Sequence, residues 1–251
     1  MLWWKAWRES RVRFLLIALM LSSLCAFAVL FEPYIRQHQL PIPLALRKGA
    51  YAEYIYNLIF AGTAKGVFAI LAIFLGLGGL QRERAHNTVG FTLALPVSRL
   101  RVIGIQIAVG MIELATLVLI PTILIPGLST LMHRSYPLAL ALHFSVLWFF
   151  GGLIIFATSL LLSVTTHGEY TAPVACYLAL VIHTFVAAWH PLAPYRLNLL
   201  WIMGEFRAMH WDATQSLLQP PPLSWPRMSV MVLVAFVLFT AAVRVTYRQD
   251  F

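Results

Sequence analysis

The sequence predicts an all-α membrane protein of about six transmembrane helices. Three observations carry that prediction. Hydrophobic residues make up 61% of the 251-residue chain and charged residues only 11%, against roughly 25% charged in a soluble domain. The mean hydropathy is +0.81. The polar residues collect between long apolar runs, the pattern of a chain that crosses a bilayer repeatedly.

The runs follow in order. The first, Phe14 to Phe31, holds 18 residues and no charge; it lacks a small-residue cleavage site and further spans follow, so it reads as a retained helix rather than a signal peptide. The second runs from about Leu58 to Leu80 with Lys65 inside it, and the third from Val102 to Ile125 with Glu113 inside it. The fourth, about Leu138 to Val164, holds His143; the fifth, Thr171 to Trp189, holds His183; the sixth runs from Met228 to Val243. At 1.5 Å per residue each meets or approaches the ~30 Å of a hydrocarbon core.

Net charge is +9. In a membrane chain such a surplus sits in loops that fix orientation and touch anionic headgroups, so no nucleic-acid partner is expected. With the N-terminus inside, the inner segments carry ten cations: Lys5, Arg8, Arg11, Arg13, Arg82, Arg84, Arg99, Arg101, Arg244 and Arg248. The outer segments carry seven: Arg36, Arg47, Lys48, Arg134, Arg196, Arg207 and Arg227. The basic flank of the first span favours the N-terminus inside. Cys25 and Cys176 both fall in apolar runs and read as small core residues, giving neither disulfide nor metal site.

Three segments outside the spans stand out. Residues 1–13, MLWWKAWRESRVR, place Trp3, Trp7 and Phe14 near one helical face and Lys5, Arg8 and Glu9 on the other, as in an amphipathic helix lying flat in the interface; the alternative is an ordinary aromatic, basic flank. Residues 81–101, QRERAHNTVGFTLALPVSRLR, have charged ends and an apolar middle, and Pro96 breaks any helix begun upstream. Such a segment packs either on the protein's own helix ends or on a soluble partner. The external loop 190–227 holds a semi-apolar piece, Leu197 to Met209, suited to a short interfacial or re-entrant helix, and then the proline-rich QPPPLSWP.

An acidic residue after the second span, then Thr, then an apolar stretch closing in Leu-Pro-Val-Ser-Arg resembles the type-2 permease subunits of ATP-binding cassette (ABC) transporters. Here these are Glu83, Arg84, Thr88, Phe91, Leu95, Pro96, Val97, Ser98 and Arg99. Length, span count and an amphipathic N-terminal helix are similar to that family as well. Asn87 stands where a Gly often precedes the Thr, and Gln106 where a Lys is common. The resemblance implies a multi-pass permease in a bacterial cytoplasmic membrane, working with a second copy or a paralogue. It implies that residues 81–101 form a coupling helix seated in a soluble ATPase subunit, and it favours export.

The chain carries no GxxxxGK[ST] loop, no HExxH and no GxSxG, so ATP hydrolysis is expected on the partner and no cofactor on this chain. An intramembrane hydrolase and a non-transporting assembly or scaffold protein are the competing classes. Within the spans, Lys65 and Glu113 are functional candidates because a charge near the bilayer centre costs ~2.5–3.5 kcal/mol on insertion scales. Glu113 falls midway along its run. The stripe Gly62, Gly66, Ala69, Ala72, Gly76 and Gly79 admits a close neighbour; were that neighbour the third span, Lys65 and Glu113 would pair, the alternative being backbone or water partners. His143 and His183 read as hydrogen-bonded structural residues.

Overall fold

The structure, a computed structural model, describes residues 2–34, 50–77, 99–166, 171–205, 210–212, 217–219 and 222–248. Six of its helical stretches are long and apolar enough to cross a membrane: Ser10–Leu30, Tyr51–Gly76, Leu100–Leu131, Leu138–Thr165, Thr171–Ala188 and Trp225–Arg248. Helix is the form expected there, because lipid offers no partner to an unpaired peptide group.

The first helix, α1, is continuous from Leu2 to Leu30. The flat interfacial helix expected over residues 1–13 is instead the first turns of α1, since nothing between Arg13 and Phe14 interrupts the backbone ladder. The second span starts earlier than its hydropathy indicates. It is assembled from α2 (Ala50–Ile55), a π-helical turn (Tyr56–Phe60) and α3 (Thr63–Gly76). Glu53 and Asn57 lower the apolar signal there, yet Tyr51, Tyr54, Tyr56, Ile59 and Phe60 are buried. The third span, α4 (Arg99–Leu131), has 33 residues and contains Pro121 and Pro126. Then come α5 (Leu138–Thr165), α6 (Thr171–Ala188), a 3-10 turn (Ala193–Tyr195), the short α7 (Leu199–Gly204) and α8 (Trp225–Arg248). Within the 190–227 loop, His210–Asp212 pairs antiparallel with Leu217–Gln219.

Helix α5 is the hub, packed by α3, α4, α6, α7 and α8, while α1 lies against α4 and α3. Its Trp148 is fully buried and stacks on Phe68 of α3 at 4.9 Å; Phe144 stacks on Phe60 of the π turn at the same distance. Of the small-residue stripe, Gly76 meets α5, whereas a Cβ on Gly66 would meet nothing within 4 Å and Gly79 lies outside the described residues. A Cβ on Gly76 would lie 2.5 Å from Ser159 Cβ, and Ser159 Oγ donates to Ile73 O at 2.6 Å. The outer helices expose large apolar side chains, among them Leu178 and Phe185 on α6 and Leu233 and Phe236 on α8. A surface of that kind belongs in lipid.

Candidate functional site

Alternating helix directions give the bundle two ends, each with its own polar cluster. At the first end stand the start of α1, Leu77 after α3, and the lower half of α4. Arg13 Nη1 donates to Leu77 O, and Ser10 Oγ donates to Glu113 Oε1. Ser10 also reaches back to Ala6 O at 3.2 Å. Glu113 is 1% exposed and feels the charge of Arg13. Glu113, the fifteenth of the 33 residues of α4, meets Ser10, where the first candidate span begins.

Lys65 and Glu113 are not an ion pair among the described residues. Glu113 shares the α1 turn that holds Leu77, whereas Lys65 lies twelve residues before Leu77, roughly 18 Å away along a helix. Lys65 is buried instead beside α7, where a Cβ added to Gly204 would come 2.8 Å from its Nζ.

That second cluster seats α7 on the opposite end of the bundle. Asn198 caps α7, its side chain accepting from Trp201 N–H at 3.2 Å and donating to Thr184 O at 3.4 Å. Leu199 N–H donates to His183 Nε2 at 3.3 Å. At the other end of α7, Tyr56 O–H donates to Gly204 O at 2.7 Å. Glu205 follows in the left-handed region (φ 44°), and its Oε2 accepts from His143 Nε2 at 2.8 Å. Met203, fully buried, fills the space over Gly151. Both histidines are hydrogen-bonded as expected, His183 to Leu199 and His143 to Glu205, but the second partner was hidden in the sequence: Glu205 lies 62 residues from His143, in a loop without periodicity.

A third set closes the same end. Arg134 lies 3.7 Å from the buried Glu32, and the Tyr51 hydroxyl is 2.5 Å from Ser129 Oγ. Burial pushes the Tyr136 phenol above its ordinary range, so it stays neutral at any physiological pH. Of the expected coupling residues, Glu83, Arg84, Thr88, Phe91, Leu95, Pro96 and Ser98 lie outside the described residues; Arg99 is the first residue of α4. Among the described residues no group of three His, Cys, Asp or Glu is placed to hold a metal ion. No family model, curated protein or solved structure matches the chain.

The Ser10–Glu113 bond is open to a direct check. Ser10→Ala removes the donor to the buried Glu113 carboxyl, and Glu113→Ala removes the acceptor; each is expected to cost about 1–3 kcal/mol. Because both break one bond, the double variant should cost little more than the worse single one. Unfolding of the three variants in detergent measures this, and simple addition of the two costs would show that the bond carries no stability.

Proposed function

We propose that this chain is the membrane-spanning subunit of an ABC-type transporter, driven by a separate soluble ATPase that engages residues 81–101. The observation that carries the proposal is how that segment is flanked. It joins α3 to α4, and a single turn of α1 holds both helices, Arg13 on Leu77 just before the segment and Ser10 on Glu113, twelve residues beyond its end. A push on the segment is thereby delivered to α1, α3 and α4 together rather than absorbed by a loose loop.

In this reading the N-terminus and residues 81–101 face the cytoplasm of a bacterial cell, and Trp3, Trp4 and Trp7 sit at headgroup depth. Two copies, or one copy and a paralogue, enclose the pathway. ATP-driven closure of the ATPase dimer tilts α3 and α4 against the α5 hub. The far ends of those helices include Lys65 and the π turn, whose Tyr56 holds α7, so the tilt reaches the α7 seat and changes access on the outer side. No bond chemistry is assigned to this chain, and export is the direction favoured.

Cysteine labelling tests the placement. Cys25 and Cys176 are buried and can be replaced to give a silent background. Single cysteines within residues 81–101 should then react with a membrane-impermeant reagent only after the cells are opened, whereas one at position 196 should react in intact cells. Labelling of residues 81–101 from outside would overturn the orientation and the coupling role together.

A further inference from the structure

Between the first turns of α1 and the lower part of α4 runs an open groove of about 360 Å³, lined by Trp3, Trp4, Trp7, Val109 and Ile112. Its volume falls at the small end of the roughly 300–1,000 Å³ typical of ligand clefts. Every lining side chain is apolar or aromatic, and Trp4 and Ile112 remain 65% and 56% exposed beside it.

We infer that this groove binds one acyl chain of an anionic phospholipid, with the phosphate at its Trp3–Trp4 end. The inference rests on the membrane placement proposed above and not on the ATPase.

Three features select a lipid as the occupant. The first is continuity. Trp4, Arg8, Val12, Leu15 and Leu19 recur at i, i+4, i+8, i+11 and i+15, one stripe of α1, and all are exposed. An acyl chain against Leu19 and Leu15 therefore reaches the groove by following the helix, without leaving apolar surface for long. The second is depth. Ser10, where the first candidate span begins, bonds Glu113 beside Ile112, so on the proposed placement the Trp3–Trp4 end of the groove lies on the headgroup side of that start. Tryptophan is the side chain that favours that layer, with an apolar ring body and an N–H for the polar side.

The third is charge. Arg8, exposed on α1, shares the stripe of Trp4, and Arg101, exposed on α4, precedes Ile112 by eleven residues and so falls on the same helical face. Arg8 lies five residues above Trp3, about 7.5 Å along the helix, and Arg101 lies eight residues below Val109, about 12 Å. Both distances bring a long, snorkelling arginine towards a phosphate between them. Two such cations favour an anionic over a zwitterionic headgroup by roughly thirtyfold, about 2 kcal/mol. A zwitterionic lipid would fill the groove equally well with its tail but gain none of this.

Tryptophan quenching by brominated lipids in nanodiscs tests the inference on the full chain. Brominated phosphatidylglycerol should quench more strongly than brominated phosphatidylcholine at equal mole fraction. The quenching difference assigned to the groove, taken as wild type minus Trp3→Phe/Trp4→Phe/Trp7→Phe with its five remaining tryptophans, should vanish in Arg8→Gln/Arg101→Gln, which keeps all eight; helix content by circular dichroism verifies folding. Equal quenching by the two lipids in the wild type would overturn the inference. So would a groove difference that survives Arg8→Gln/Arg101→Gln, or groove tryptophans that respond to an added soluble ATPase and to neither lipid. Loss of ATPase binding with the lipid preference intact would instead strike only the coupling proposal.

Discussion

Gly62→Ala is expected to cost about 3 kcal/mol or more and to leave little folded protein in detergent. Gly62 caps α3 just after the π turn, and Ala61 N–H closes that turn on Tyr56 O at 2.8 Å. A Cβ at Gly62 would overlap Asn57 O and stand 3.0 Å from Leu58 O. Both are backbone atoms, so relief requires opening the turn that positions Tyr56 and Phe60. Tyr56 holds α7 through Gly204, and Phe60 stacks on Phe144 of the hub. The damage should spread from the second span into α5 and α7. Gly66, one turn into α3, supplies the contrast: an added Cβ there meets nothing within 4 Å. Gly66→Ala should hold or raise stability, by up to about 0.5–1 kcal/mol from the reduced freedom of the unfolded chain. Thermal unfolding followed by tryptophan fluorescence compares the pair, and equal melting temperatures would contradict this account of the π turn.

The second large effect is expected at the coupling segment. Phe91 and Leu95 are four residues apart, on one face of any helix formed there, and Pro96 sets where that face ends. At ~25 cal/mol per Å2, a buried Phe side chain contributes on the order of 3 kcal/mol, more than a hundredfold in docking. Phe91→Ala or Leu95→Asp should therefore release the ATPase subunit during purification and abolish transport. The membrane bundle should melt as the wild type does, because neither residue lies in a span. Packing of the segment on its own helix ends predicts the reverse, a weakened bundle that keeps whatever partner it has.

How much of this was legible in the sequence depends on the range of the interaction that fixes each feature. The six spans were legible because lipid imposes one local rule on every residue of a crossing. Their limits were less so: hydropathy alone starts the second span at Leu58, although Tyr51 to Phe60 already face the core. The extra turns of α4 escaped notice for the opposite reason, since residues beyond the bilayer are still helical without being more apolar. Glu113 meets Ser10 of α1 instead of Lys65, a contact set by how the helices pack rather than by any local pattern. The stripe of small residues was visible, but which helix fills it was not, because Ser159 and Gly76 meet only through the tertiary arrangement. His143 and Glu205 belong to the same class of long-range pair. The segment proposed for coupling is the reverse case: a local pattern carried by residue order, of which residues 81–98 lie outside the described residues.

The central claim is that residues 81–101 dock on an ATPase, and photo-crosslinking addresses it most directly. A photoreactive amino acid placed at Phe91 of the full chain, in its native membranes, should crosslink to one soluble P-loop ATPase. The yield should change when ATP is added, as the cleft around the segment closes. Crosslinks confined to the chain itself or to lipid, with or without ATP, would contradict the account.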